Sequence, residues 1–413
     1  MCSSDLVAPL LADRAAAWLF WFALGAAAIT GITWTMLGQP DQAVVRVITV
    51  LVIACPHALG LAIPLVVAIS TERAARAGVL IKERGALERM RTITTVVFDK
   101  TGTLTKGQPA LALVEAVSGH TEADVLTLAA AAEADSEHPL ARAIVRAAQD
   151  RGLQVPAASG FTSQPALGVS ARVDGAEVRV GGPRLRDEAR AGDPLSGSET
   201  HNAGLTRLYV LRDDRVIGAL SLADEVRPES AHAVAALHRL GVRVAMITGD
   251  TQSVADRVAA QLDIDTVLAE VRPEEKAARV ARLQAAGERV AMVGDGVNDA
   301  PALAQADVGL AIGAGTDVAI ASAGVILAGD DPRAVVSVIE LSRASYRKML
   351  QNLWWAAGYN LVSVPLAAGV LAPIGITLPM EVGAILMSVS TVVVALNAQL
   401  LRRLDLRPDR PGV

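Results

Sequence analysis

The sequence predicts a multidomain protein that joins an α/β domain, built on a parallel sheet, to helices that cross a membrane. Two observations predict the membrane part. Of the 413 residues, 52% are hydrophobic and only 3% aromatic, and four stretches contain no Lys, Arg, Asp or Glu: 15 to 40, 47 to 71, 350 to 380 and 382 to 401. The third observation predicts the α/β part: between residues 72 and 349, short β-branched runs alternate with Ala-rich helical stretches, the pattern of a parallel sheet.

Each uncharged stretch is long enough to cross a bilayer, since roughly 20 helical residues at about 1.5 Å rise span its hydrocarbon core. The third stretch is broken near its end by Pro373, Gly375 and Pro379, which reads as a short turn between antiparallel spans. Paired as two hairpins, the spans have outer connections without Lys or Arg, whereas Arg73, Arg76, Arg347, Lys348, Arg402 and Arg403 flank the other ends. By the positive-inside rule the termini and the long middle are cytoplasmic. A net charge of -5 and no basic block give no reason to expect nucleic acid. Cys2 and Cys55 are the only cysteines, too few for a disulfide framework or a CxxC metal module. The opening "MCSSDL" reads as sequencing-adapter read-through and is excluded from fold reasoning.

In the middle, "TTVVFDKTGTLT" places Asp99 just past a strand, "VRVAMITGD" places Thr248 and Asp250 past another, and "ERVAMVGDGVND" places Asp295 past a third. In doubly wound sheets the ligand crevice lies at the carboxyl ends of the strands, so these groups converge in one active site. Asp99 is a carboxylate nucleophile on a tight turn, with Lys100 and Thr101 beside it to offset phosphate charge. Asp295 and Asp299 are hard oxygen ligands suited to magnesium. Thr248 and Gly249 can hydrogen-bond phosphoryl oxygens, and Lys276 in "VRPEEK" can meet the negative charge that transfer develops. Singly, each is a turn residue; together and in order they are an active site.

At these residues the sequence resembles the haloacid dehalogenase superfamily, and "DKTGTLTKG", "TGD" and "GDGVNDAPAL" resemble the phosphorylation domain of P-type ATPases. The resemblance implies a Rossmannoid phosphorylation domain, transient phosphorylation of Asp99 by ATP, a catalytic set that includes Asn298, and magnesium held by Asp99, Thr101, Asp295 and Asp299. No Walker A pattern occurs, so ATP belongs in an inserted α+β nucleotide-binding domain, placed at 108–205. Its "SEHPLARAI" resembles the nucleotide signature of the heavy-metal branch, which implies His138 at the adenine, with Pro139, Glu133 and a glycine turn at Gly168. A helix start at Pro139 would also account for His138. "PALGVSARV" departs from the family's Gly-x-Gly by placing Ala166 first.

The second uncharged stretch carries "ACPHALG". Thiol and imidazole are soft or borderline ligands, costly inside a membrane. Pro56 has no N–H, which is expected to free the carbonyl of Val52 and loosen the helix between Cys55 and His57. Tyr359 and Asn360 in the third span, and Met387 and Ser390 in the fourth, are further candidate ligands. From about residue 14 onward the chain resembles the Cys-Pro-His subgroup of heavy-metal P-type ATPases, associated with copper or silver export. That implies a multi-pass protein of the cell membrane, a bacterial inner membrane, with cytoplasmic catalytic domains, ATP and Mg²⁺ as cofactors, a soft metal ion as cargo, and the lipid bilayer and a metallochaperone as partners.

The organisation expected is a start and linker at 1–13, two spans with the Cys-Pro-His triplet at 14–71, a linker and first part of the phosphorylation domain at 72–107, the nucleotide-binding domain at 108–205, and the second part at 206–335. A linker helix at 336–349, two spans at 350–401 and a tail at 402–413 follow. No Thr-Gly-Glu tripeptide of the family's actuator domain occurs, so the chain reads as an amino-terminally truncated form that accepts phosphate and releases it slowly. Two alternatives stay open: a membrane-tethered phosphatase of the same superfamily, and a metal-binding membrane fragment that does not pump. Thiol and thioether favour Cu⁺ or Ag⁺, and the same ligands could take Cu²⁺ or zinc.

Overall fold

The structure is a computed structural model that describes residues 7–407 apart from 56, 165–166, 189–194, 196–204 and 314–316, and for 7–16 and 57–59 the backbone alone. The "MCSSDL" start, Pro56, the His57 side chain and Ala166 therefore lie outside the described residues.

The chain opens with helices α1 (Val7–Met36), α2 (Pro40–Ile53) and α3 (His57–Arg76), then β1 (Val79–Ile81) and α4 (Arg84–Met90). β2 (Thr95–Asp99) turns into β3 (Thr105–Ala116), followed by α5 (Glu122–Glu133), α6 (Pro139–Asp150), β4 (Ala158–Gln164), β5 (Gly168–Val173), β6 (Ala176–Gly181), α7 (Pro183–Asp187), β7 (Thr206–Arg212) and β8 (Arg215–Val226). Next come α8 (Pro228–Arg239), β9 (Arg243–Ile247), α9 (Gln252–Leu262), β10 (Thr266–Leu268), α10 (Lys276–Ala285), β11 (Val290–Gly294), α11 (Ala300–Gln305), β12 (Val308–Ile312), α12 (Asp317–Ser322) and β13 (Val325–Leu327). Helices α13 (Arg333–Ala368) and α14 (Met380–Gln399) close it.

Two compact units result: Met1–Thr94 with Leu283–Ala291 and Leu303–Val413, and Thr95–Arg282 with Met292–Ala302. In the first, α1, α2, α3, α13 and α14 pack through small residues such as Ala23, Ala27, Ala54, Ala62, Ala356 and Ala367, which let helix backbones approach closely. The outward faces are apolar: Trp18, Phe20, Trp21, Ile29, Trp354 and Ile385 are all exposed, a larger apolar surface than water-solvated helices usually carry. In the same unit β13 pairs antiparallel with β1 and parallel with β12.

Two helical segments, Ala17–Met36 and Met380–Arg403, are long and apolar enough to cross a membrane. The other two uncharged stretches are not single apolar helices. The second is divided at Ala54–Cys55, where α2 ends and α3 begins. The third is the distal part of α13, a 36-residue helix that starts among charged residues and stops at Gly369, whose φ of +86 closes it with a left-handed cap. The carbonyl of Val52 is not freed: it accepts the N–H of Cys55 at 3.3 Å. The chain tightens to an i to i+3 bond at the break, so the released acceptor is recaptured locally.

In the second unit β2 lies between β11 and β9, with β10 outside β9. β2 and β9 run parallel, with Asp99 level with Ile247. Val96, Val97, Phe98, Val244, Ala245, Met246, Met292 and Val293 are fully buried, as expected of parallel strands covered on both faces. The same unit carries a six-stranded antiparallel sheet, ordered β3-β8-β7-β6-β5-β4. One face is covered by α5 and α6, whose Val125, Leu126, Ala129 and Ile144 pack against Ala171, Val178, Val210 and Leu220. A Thr121–Asp124 capping box starts α5.

Candidate active site

Asp99 is the last residue of β2 and is 6% exposed. The chain then turns through Thr101 and Gly102, the latter at φ 76. A Cβ on Gly102 would run into the carboxylate of Asp295, so the glycine is required both by its left-handed backbone and by its neighbour. Because β11, β2 and β9 are adjacent, their carboxyl ends deliver Asp295, Asp99 and Thr248 side by side. Gly294 repeats the device of Gly102: a Cβ there would collide with Asp299.

Oxygens of Asp99, Asp295 and Asp299 all lie within 4.8 Å of one another. At an effective dielectric of about 20, two carboxylates at such a distance repel by about 3.5 kcal/mol, so the cluster needs cations. Lys276, the first residue of α10 and 7% exposed, supplies one. Its Nζ donates to Asp99 Oδ1 at 2.5 Å and to Asp299 Oδ1 at 2.7 Å. Burial and the charge on Asp299 push the Asp99 carboxyl up to about 7, against the pull of Lys276. Burial followed by Asp299 raises Asp295 as well. Burial lowers the Lys276 ammonium, but Asp99 and Asp299 outweigh it and hold the group charged. Three carboxylates and one ammonium leave a net charge of minus two at full ionisation. An all-oxygen set of that charge fits a divalent hard ion such as Mg²⁺.

Two further predicted residues meet across the site: Lys100 Nζ lies 2.5 Å from Asp250 Oδ2. Lys100 is thus neutralised by the loop after β9, a pairing that its position beside Asp99 does not reveal. Thr248 is buried, and its Oγ1 accepts the N–H of Asp250 at 3.1 Å. Gly249 has ordinary space around it, and Thr101 and Asn298 are exposed.

Residues that the motifs do not announce hold the turn. Arg227 Nε donates to the Thr105 carbonyl at 3.1 Å and its guanidinium reaches the Gly102 carbonyl at 3.4 Å. Thr105 Oγ1 donates to Asp224 at 2.5 Å, and Ser230 Oγ to the Leu104 carbonyl at 2.9 Å. The Arg-Pro pair of "DEVRPES" marks a helix start, but nothing in the sequence links it to a turn over a hundred residues earlier.

On the six-stranded sheet, His138 caps α6, its Nδ1 accepting the N–H of Leu140 at 3.2 Å. The ring proton then sits on Nε2, which remains for a ligand. Glu133, at the end of α5 and 6% exposed, is pushed up to about 7 by burial despite the Ser136 hydroxyl. Gly168 has φ 134, and a Cβ there would overlap the Val180 carbonyl of β6. The approach of two strands is enough to require this glycine, and Pro139 occupies the first position of α6, where its missing N–H costs nothing.

Among the candidate cargo ligands, Cys55 is exposed with a free thiol. The Tyr359 hydroxyl donates to the Gly383 carbonyl at 3.2 Å. Asn360 and Ser390 are each 3% exposed, and Asn360 Oδ1 and Ser390 Oγ have no hydrogen-bond partner. Met387 is half-buried on α14.

Residues 93–307 match the haloacid dehalogenase-like hydrolase family. The chain is 48% identical over 393 residues to copper-exporting P-type ATPase B of Archaeoglobus fulgidus, covering 95% of this chain and 57% of that protein. It is 46% identical over 398 residues to a probable copper-exporting P-type ATPase V of Mycobacterium tuberculosis, covering 95% and 51%. A crystal structure of a zinc-transporting PIB-type ATPase in its E2.Pi state superposes with TM-score 0.82 at 35% identity, over 93% of this chain and 62% of that one. The chain thus spans about half the length of the curated relatives it matches. It belongs to the haloacid dehalogenase-like hydrolase family and, within it, is a homologue of the copper-exporting P-type ATPases.

Proposed function

We propose that the chain is the catalytic and carboxyl-terminal part of an ATP-driven exporter of a soft metal ion, of the copper or silver class, working through an aspartyl phosphate on Asp99. The observation that carries this reading is the buried Asp99, bridged by Lys276 to Asp299 at the end of a parallel sheet. An Asp99 oxygen attacks the γ-phosphorus of ATP, the bond to the β,γ-bridging oxygen breaks, and ADP leaves. Water then cleaves the acyl phosphate and restores the carboxylate. Asp99, Asp295 and Asp299, with Thr101, would hold Mg²⁺, which supplies charge neutralisation between carboxylate and phosphate. Lys276 orients Asp99 and meets the charge that develops on the phosphoryl oxygens. Thr248 and Gly249 bind those oxygens, Asp250 fixes Lys100, and Asn298 completes the loop after β11. Glu133, His138, Pro139 and Gly168 form the adenine side.

In this reading 14–71 and 350–401 provide four spans, with catalytic parts in the cytoplasm. The cargo passes Cys55, His57, Tyr359, Asn360, Met387 and Ser390, delivered by a metallochaperone. The unpartnered buried Asn360 Oδ1 and Ser390 Oγ support that path, since polar atoms left unpaired among apolar helices call for a ligand or water. The test is transfer of label from γ-labelled ATP to acid-stable protein in the presence of Mg²⁺ and a panel of metal ions. Label in wild type and none in Asp99→Asn is the expected result; no label in wild type with any metal sinks the reading.

A further inference from the structure

Arg46 stands on α2 between two of the uncharged stretches, six residues after Pro40 opens the helix. At about 1.5 Å per residue it lies roughly 9 Å inside the helix start, in the outer half of the span in the orientation proposed above. It is 9% exposed, and a guanidinium keeps its charge when buried. Arg and Lys gather on the cytoplasmic side and are costly within a span, so an arginine here calls for a role.

Three neighbouring elements place its side chain. Nη1 donates to the carbonyl of Leu378, just before α14, at 3.4 Å, and Cζ lies 5.9 Å from the centroid of the Trp34 ring of α1. Trp34 is held in turn, since its Nε1 donates to the Ala368 carbonyl at the end of α13 at 2.9 Å. The guanidinium thus meets a carbonyl and a ring face, and its buried Nε has no hydrogen-bond partner. Asp41 and Glu381, the acids in the first turns of α2 and α14, are both exposed. Among the described residues no carboxylate pairs with Arg46.

The same side chain faces the cargo path. Ala43, Arg46, Thr49, Val50 and Ile53 are the buried residues of α2, and their spacing is that of one helical face. Ile53, about two turns inward of Arg46 and two residues before Cys55, fills the space that a Cβ on Gly383 would need. The Gly383 carbonyl accepts the hydroxyl of Tyr359, a candidate cargo ligand, at 3.2 Å. Between the two levels Val50, Ile53, Val364 and Ala367 pack with Tyr359 and Leu378. An apolar seam of this kind screens a fixed charge poorly.

We propose that Arg46 is the outer electrostatic seal of the cargo path: in the packing that the structure shows, its unneutralised charge closes the seam between α2, α13 and α14 to cations from outside. The inference rests on the reading of Cys55 as part of that path. Coulomb repulsion over about 6–12 Å, at an effective dielectric of about 20, slows a univalent cation about 10–100-fold.

The test uses right-side-out vesicles that carry the full chain, with Cys2→Ser leaving Cys55 as the single thiol. Without ATP, they are treated with two membrane-impermeant methanethiosulfonates, one bearing a trimethylammonium group and one a sulfonate, each rate being divided by that for free glutathione. In the otherwise unchanged chain the anionic reagent is expected to be favoured. Arg46→Gln is expected to speed the cationic reagent about 10–100-fold and not the anionic one, whereas Arg46→Lys keeps the original ratio. The original chain's own ratio decides the matter if Arg46→Gln lowers the melting temperature too far to be used. A cation-to-anion ratio that Arg46→Gln leaves unchanged, an equal gain for both reagents, or no reaction with either in any form overturns the inference alone. In inside-out vesicles Ag⁺ is expected to protect Cys55 from both reagents; no protection there overturns the cargo-path reading, and the inference with it.

Discussion

Replacing Lys276 by methionine keeps the length of the side chain and removes the one ammonium that touches both Asp99 and Asp299. Three carboxylates then share a volume in which their oxygens lie within 4.8 Å. Breaking one side of a buried ion pair costs about 3–5 kcal/mol, which for a domain of this size lowers the melting temperature by roughly 6–20 °C. Removing one preorganised donor from a developing oxyanion costs about 10²–10³ in rate. The two effects separate in the presence of Mg²⁺. A divalent ion among the carboxylates restores much of the lost attraction, so the stability gap between Lys276→Met and wild type narrows from chelator to millimolar magnesium. The phosphorylation rate is not restored, because the ion cannot take the place of the ammonium at the phosphoryl oxygens. Thermal denaturation with EDTA and with Mg²⁺, beside single-turnover phosphorylation, reads both quantities. A gap of the same size under both conditions would refute the view that lysine and metal ion compensate the same cluster, and an unchanged rate would remove Lys276 from the chemistry.

Glu133→Gln tests the buried acid of the six-stranded sheet. Burial raises the Glu133 carboxyl from 4.5 to about 7, so ionising it opposes folding: the penalty is absent below about pH 4.5, grows through the window up to 7, and is complete above. The shift is worth at most about 3 kcal/mol, so Glu133→Gln is expected to be more stable than wild type at pH 8 and equal to it near pH 4.5, measured as melting temperature against pH. A constant difference across that range rules the assignment out. Gly168→Ala places a methyl group against the Val180 carbonyl and is expected to cost about 1–3 kcal/mol and, with Gly168 on the adenine side, to weaken ATP binding even in the folded variant. Unchanged ATP binding in a folded variant would remove Gly168 from the nucleotide site and leave it a purely structural glycine.

The convergence of Asp99 and Asp295 was legible because each follows a β-branched run, and parallel strands deliver such ends to one edge; Asp299 comes with Asp295 from the same loop. What that pattern cannot contain is pairing. Lys100 reads as a phosphate ligand from its place beside Asp99, yet in the folded chain its partner is Asp250. Arg227 reads as nothing, because the turn it braces is distant in sequence. His138 bears out the helix-start reading, since its Nδ1 is spent on the α6 cap. In the membrane part, the lack of charge between 47 and 71 revealed an apolar stretch but not its division, since hydropathy does not record where a backbone N–H is missing or which carbonyl a neighbour recaptures.

Helix α13 gives the first unit its mechanical character. Its 36 residues at about 1.5 Å each make a rod of about 54 Å, with no break despite Pro365. At the amino-terminal half Ser342 Oγ donates to the Leu87 carbonyl, Ser345 Oγ meets Ser70 Oγ at 2.6 Å, and the Arg91 guanidinium lies 3.8 Å from the Tyr346 ring centroid. At the other half stand Tyr359 and the unpartnered Asn360. A rod clamped at one end by α3, α4 and Arg91 cannot shift there without moving the carboxamide at Asn360, because a continuous helix transmits displacement along its axis. Asn360 Oδ1, unlike Ser390 Oγ on α14, therefore sits on the same continuous helix as that clamp. Any ligand that Asn360 accepts is coupled, through α13, to the position of α4 and the strands beside it.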